Sequence, residues 1–228
     1  MTKVGALIYS QFNYPIPMRT NSTQMVIQEI MTSKPPAFSI ADVSAIAASY
    51  YGIHAHAHVL VSERDQNFRL DADDGKSYTL KISNQAEQLL VVDFQNQALL
   101  HVEQQDSSLP LPRVIRARDG QLHIGVRRGG KIHLVRVLSW LDGSVLHETS
   151  ISATLARRLG RLLARLGLAL KGFEHPGSNP PLLWDMKRAA DLRPLLVHIE
   201  EPELRQLILQ TLDHFVSRIK PDVWRREN

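Results

Sequence analysis

The stretch LVSERDQNFRLDADDGKSYTLKIS, residues 60–83, decides how the first half of the chain folds. With the residues just before it, it reads as three short strands: His58–Val61, Asn67–Leu70 and Tyr78–Ile82. Glu63–Gln66 makes a polar turn between the first two. Asp73-Asp74-Gly75 makes the second turn, and Asp-Gly between β-rich runs is a strong hairpin signal. Side chains alternate along a strand, so Lys81 points away from its apolar neighbours Leu80 and Ile82.

One strand away from Lys81, the Glu63–Gln66 turn offers backbone N–H groups and short polar side chains. A lysine beside a tight turn at the mouth of an antiparallel sheet is the arrangement by which kinase-type folds hold ATP phosphates. The plainer alternative is a surface hairpin with a solvated lysine. The turn has no glycine, so it is not a G-x-G-x-x-G loop.

Composition sets the outer bounds. The 228 residues suffice for a sizeable core in one or two domains, and 43% hydrophobic with 22% charged residues is ordinary for a globular protein. The absence of cysteine excludes a disulfide scaffold and thiolate metal sites, and it suits a reducing, cytoplasmic compartment. No apolar run approaches the ~20 residues of a membrane span, and the first residues are too weakly apolar for a secretory signal. The net charge of +4 is mild: it admits an anionic ligand such as a nucleotide and does not demand nucleic acid.

Around the hairpins the chain is helical and punctuated. Residues 1–37 are polar and proline-rich and are expected to form a poorly ordered extension, with a short helix at Thr23–Met31. Ser39 is placed to cap a helix over Ile40–Tyr51, with Asp42 in its first turn, Ile40, Val43, Ile46 and Ala47 on one face, and Gly52 as the stop. His54, His56 and His58 share one strand face, but no carboxylate or thiolate nearby in sequence completes a metal shell, so a solvated strand edge is expected. Asn84 is expected to cap a helix over Gln85–Glu103 with Val91, Gln95, Ala98 and Val102 on one face. Gln95 is then either a half-buried amide or a hydrogen-bond partner for Lys81. Ser107–Pro112 forms a loop. Strands at Gln121–Val126 and Ile132–Leu138, joined through RRGGK (127–131), bring the sheet to five strands and one inserted helix.

After a break at Ser139–Gly143, the pattern from Ser152 onward is helical. Leu155, Leu159, Leu162, Leu166 and Leu170 form a stripe, and Arg157, Arg161 and Arg165 line another face, read as solvated rather than as a nucleic-acid surface. Phe173-Glu174-His175-Pro176-Gly177 ends that helix. A helical segment at Trp184–His198, bent or divided by Pro194, and a last helix from Pro202 to Pro221 follow.

Residues 39–220 resemble the first two-thirds of aminoglycoside-phosphotransferase-like kinases, and most closely the hydroxylysine-kinase-like branch. The resemblance is carried by SERDQNFRL (62–70), YTLKIS (78–83), FQNQALLHV (94–102), LSWLDGSVL (138–146), FEHP (173–176) and LLWDM (182–186), in that order and spacing. It implies an α+β fold: a protein-kinase-like small lobe of five antiparallel strands and one helix at 38–138, a hinge and linker at 139–151, and a partial helical lobe at 152–228. It also implies roles. Ser62, Gln66 and Asn67 belong to the nucleotide-covering loop. Lys81 matches the lysine on the α- and β-phosphates. Gln95 stands where many relatives have glutamate. Ser139 and Leu141 match the hinge that reads the adenine edge.

The catalytic loop H-x-D-x-x-x-x-N of such kinases is absent. Asp222 and Asn228 come nearest, with five residues between them rather than four and Lys220 in the histidine's place. No catalytic residue and no metal ligand is therefore assigned. The expectation is an amino-terminal fragment of an ATP- or GTP-dependent phosphotransferase for a small hydroxyl substrate, inactive alone. Mg²⁺ would enter only with the missing part, and self-association through uncovered apolar helices is expected. The alternative is a non-catalytic nucleotide-binding or interaction module.

Overall fold

The computed structural model of the protein describes residues 33–180, 182 and 185–219. The expected extension up to residue 32, with its helix at Thr23–Met31, lies outside the described residues, as do Trp184 and Pro221. The described residues fall into two compact units that divide at Pro180.

The first unit is built on an antiparallel sheet of six strands: β1 (Ala55–Leu60), β2 (Gln66–Ala72), β3 (Ser77–Ile82), β4 (Val114–Ile115), β5 (Ile124–Arg128) and β6 (Lys131–Ser139). The order is β1-β2-β3-β6-β4, and β5 pairs with β6 on the same edge as β4. The three strands expected from residues 58–82 form as a meander. Gly75 at φ 83° closes the β2–β3 hairpin. Gly129 and Gly130, at φ 58° and 78°, make the two-residue turn between β5 and β6, where both central positions need positive φ. The sixth strand, β4, was not expected. At two residues it is too short to leave an alternation pattern, and it follows a proline-rich loop.

One face of the sheet carries Phe68, Leu70, Leu80, Ile82, Val135 and Val137, all 0% exposed. It is covered by α1 (Ile40–Ile46) and the wider π-helical turn Ala47–Tyr51 that continues it. Ser39 caps α1 as expected: its Oγ accepts from the Asp42 N–H (3.2 Å), while Asp42 Oδ2 accepts from the Ser39 N–H (2.8 Å). Val43, Ile46 and Ala47 are buried and Ile40 is not. Tyr51 reaches through this core to donate to the Val135 carbonyl at 3.0 Å. Burial and then Asp119 push its hydroxyl well above the ordinary tyrosine range. Phe68 fills the centre of the cluster, so Phe68→Ala should cost about 3–5 kcal/mol. Denaturant unfolding reads this directly, and a loss below about 1 kcal/mol would contradict the packing.

The opposite face meets α2 (Leu89–Gln105). This helix starts one turn later than expected because Asn84 is not its cap. Asn84 is buried and stitches three segments together: its N–H donates to Asp65 Oδ1 (3.0 Å), and its amide donates to the carbonyls of Lys34 (3.0 Å) and Arg64 (3.2 Å). The Glu63–Gln66 turn is thereby tied to the end of β3.

Helix α3 (Ala153–Ala169), capped by Ser152 Oγ at 3.1 Å, belongs to the same unit. Its Leu162, Leu166, Ala169 and Leu170 edge packs on Val102, Leu109 and Leu111. Arg165 binds Asp106 Oδ2 at 3.1 and 2.5 Å. Leu159, Leu163 and Leu168 are exposed.

The second unit holds a 3₁₀ segment, Met186–His198, and α4 (Pro202–His214), which runs into a π-helical turn at Phe215–Ile219. The 3₁₀ winding fits Pro194, which has no N–H to donate and whose ring crowds the preceding turn. Arg193 pairs with Asp213 across the unit.

Candidate functional site

Three polar residues stand in one row on the α2-covered face. Asn67 on β2 is in register with Lys81 on β3, and Lys81 is in register with Arg136 on β6. Strand alternation puts all three opposite the hydrophobic core. Arg136 is 6% exposed. Its Nη1 donates to Asn96 Oδ1 at 3.0 Å and its Nη2 to Gln95 Oε1, so two amides of α2 hold the guanidinium.

Gln95 was expected to be either a half-buried amide or Lys81's hydrogen-bond partner. Its helical phase was read correctly, since it faces the sheet, but the residue it meets is Arg136. Among the described residues Lys81 forms no ion pair; the charges that act on it are Arg136, Asp65 and Glu87. Burial first, and the Arg136 charge second, hold the Lys81 amine below the ordinary lysine value, while Asp65 and Glu87 pull the other way. Glu87 shows the mirror effect: burial, then Asp65, raises its carboxyl above the ordinary glutamate value. Among the described residues, two buried polar atoms in the row have no hydrogen-bond partner, Asn67 Oδ1 and Arg136 Nε.

The other expected site residues separate. Ser62 Oγ accepts from the Asn67 amide at 3.2 Å, which joins the two within the turn region. Gln66 lies on the opposite, core face and clamps Phe38 through both ends of its amide, at 2.9 Å each. Ser139 ends β6; its N–H donates to the Arg113 carbonyl and its hydroxyl accepts from the Arg113 N–H, both at 2.8 Å. Leu141, just beyond, is exposed. Trp140 between them carries the Arg69 guanidinium 4.7 Å above its ring, and Asp71 holds that arginine at 2.7 Å. Sequence reading missed Arg136, Asn96 and Glu87. The alternation in HLVRVLS (133–139) could have flagged Arg136 as the charged member of an otherwise apolar strand.

The FEHPG segment does more than end α3. Gly172, at φ 79°, makes the actual reversal. Phe173 then stacks on Phe94 (6.0 Å) and lies 5.1 Å from the His101 ring. His175 Nε2 meets Asp93 Oδ2 at 3.2 Å. Gly177 seats against α2 so closely that a Cβ there would stand 2.4 Å from the Leu90 carbonyl oxygen. Gly177→Ala should therefore cost about 1–3 kcal/mol by displacing this segment or α2. The expected result is a lower unfolding midpoint and faster amide exchange in Phe173–Gly177; an unchanged midpoint would contradict the close approach.

The histidine face of β1 is a strand edge, as expected. His56 and His58 meet ring to ring at 4.8 Å, and His58 Nε2 lies 3.3 Å from Asp71 Oδ2. Among the described residues no group of three or more His, Cys, Asp or Glu is placed to hold a metal ion. Also among these residues, no helix is long and apolar enough to cross a membrane.

Comparison with known proteins places the chain in a family. Residues 58–225 match the phosphotransferase enzyme family. The chain is 27% identical over 205 residues to hydroxylysine kinase of Mus musculus, covering 82% of this chain and 54% of that protein. It is 29% identical over 151 residues to hydroxylysine kinase of Danio rerio, covering 63% and 42%. The chain thus spans about half the length of these relatives, less than the two-thirds expected. Two solved structures share the fold. A microcompartment-associated aminopropanol kinase has a TM-score of 0.51 at 18% identity, covering 72% of this chain and 58% of that one. Amicoumacin kinase hAmiN, in complex with AMP-PNP, Ca²⁺ and Ami, has 0.54 at 14%, covering 77% and 54%. The family match, spanning most of the chain and taking in the row of Asn67, Lys81 and Arg136, settles its membership: this chain belongs to the phosphotransferase enzyme family.

Proposed function

We propose that the chain is the nucleotide-binding part of an ATP- or GTP-dependent phosphotransferase whose acceptor is a hydroxyl group of a small amino-alcohol or amino acid. The observation that carries this reading is the row itself: among the described residues, a half-buried lysine has no ion pair and stands between two residues that each bury a polar atom without a partner. Burying a cation is costly unless an opposite charge meets it. A nucleotide's phosphates supply that charge.

In this reading Lys81 meets the α- and β-phosphates. Ser62 and Asn67 line the covering turn, and the Ser139 carbonyl and Leu141 N–H face the adenine edge. Gln66 takes no part, because Phe38 occupies its amide. Metal placement belongs to the Asp and Asn of the catalytic loop, which the sequence lacks, so Mg²⁺ adds little here. The same absence favours a second reading, nucleotide binding without transfer.

A calorimetric or NMR titration with ADP tests the reading. The expected dissociation constant is on the order of 0.1–1 mM, roughly 4–5.5 kcal/mol, and Mg²⁺ should change it by less than about tenfold. No binding to a demonstrably folded protein would overturn the reading.

A further inference from the structure

Kinase folds fasten the phosphate-binding lysine by pairing it with a carboxylate on the helix that follows. Here that helix offers no carboxylate to the row; it offers Gln95 and Asn96, and both engage Arg136. Lys81 and Arg136 are cross-strand neighbours, and like charges directly opposite each other destabilise a sheet. Gln95 and Asn96 accept from the two terminal nitrogens of Arg136 without neutralising its charge. The charges of Asp65 and Glu87 partly offset both cations, yet burial and then Arg136 still disfavour the charged form of Lys81.

We propose that Arg136 is a positioning residue that replaces the usual lysine–carboxylate pair: clamped by Gln95 and Asn96, it docks α2 on the sheet and keeps Lys81 free as half of a two-cation site for a nucleotide's phosphates. This rests on the nucleotide reading above. A planar guanidinium suits the task, because its fork takes two amide oxygens at once from a fixed strand position. An ammonium at 136 would keep the charge and lose the fork. A carboxylate at 95 would pair with Arg136, not with Lys81, and cancel the charge that the site presents.

The test separates the clamp from the ligand. In the free protein, NMR titration of the Lys81 side chain and hydrogen exchange of α2 are compared for wild type, Arg136→Met, Arg136→Lys and Gln95→Glu. Arg136→Met should raise Lys81's proton affinity toward the ordinary lysine value and speed exchange in the turn around Gln95 and Asn96. Arg136→Lys should speed the exchange while leaving the Lys81 titration near wild type. ADP and inorganic tripolyphosphate are then titrated. Gln95→Glu should weaken both by about tenfold, a change of roughly 1.4 kcal/mol. Tighter binding by Gln95→Glu would mean that position 95 serves Lys81, and the proposal falls.

If wild type binds ADP while Arg136→Met moves neither Lys81 nor α2, the nucleotide reading stands and the positioning role is overturned. If wild type binds neither ligand although the clamp effects appear, the nucleotide reading fails, and with it the purpose assigned to the clamp. Should Arg136→Met not fold, Arg136→Lys and Gln95→Glu carry the test, since each retains a polar partner for the amides or the guanidinium.

Discussion

Exchanging Lys81 for methionine should weaken ADP binding by roughly 10- to 150-fold, and the free protein should become more stable. The first effect follows from removing a hydrogen bond between charged groups, about 1.5–3 kcal/mol. The second follows from the surroundings of the lysine. Burial and Arg136 both disfavour its charged form, so its proton affinity in the fold lies below the ordinary value of 10.5. The unfolded chain holds that proton more tightly than the folded one. Wild-type stability should therefore carry the full cost below the folded-state pKa and should rise as pH climbs from there toward 10.5. Methionine keeps the stem packed and has no charge to bury, so the variant should lose both the cost and this alkaline rise. Paired ADP titrations and denaturant unfolding across pH check it. A variant that is less stable than wild type, or that binds ADP equally well, would show that Lys81 is a structural lysine. A gain in stability with a loss of binding is the signature of a residue kept for function.

Much of the sheet was legible because its signals are local. Asp74-Gly75 and Gly129-Gly130 name their turns, and each turn fixes the register of the strands beside it. Ser39 and Asp42 announced α1 for the same reason: a capping box is complete within four residues. The site was legible only in part. Alternation gave the direction of Lys81, and helical phase gave that of Gln95, but neither says which strand lies beside which. That Arg136 stands between them depends on β6 pairing with β3 across the whole of α2 and β5, an arrangement without a local signature. Asn84 misled for a related reason. A cap and a three-way stitch use the same side chain, and what decided between them was the carbonyls of Lys34 and Arg64, 50 and 20 residues away. FEHPG likewise looked like a stop until α2 was seen against Gly177.

The chain by itself should transfer no phosphoryl group. In kinases of this kind an aspartate of the catalytic loop takes the proton of the attacking hydroxyl, while an asparagine and a second aspartate place Mg²⁺ between the phosphates. None of the 228 residues forms that H-x-D-x-x-x-x-N pattern. Loss of a general base alone costs about 10²- to 10⁴-fold in rate, against turnover of roughly 1–100 s⁻¹ for intact kinases. Loss of metal placement adds to this, since phosphoryl transfer depends almost wholly on positioning and charge stabilisation. Incubation with labelled ATP, Mg²⁺ and a panel of amino-alcohols, hydroxylysine and aminoglycosides should yield no phosphorylated acceptor above background. The decisive control is the Lys81→Met protein. Acceptor phosphorylation by wild type that disappears in that variant would sink this expectation and place a catalytic group elsewhere in the chain. Its absence, together with measurable ADP binding that depends on Lys81, would separate the two capacities of the fold: the sheet and α2 recognise the nucleotide, and chemistry requires a loop that these residues do not contain.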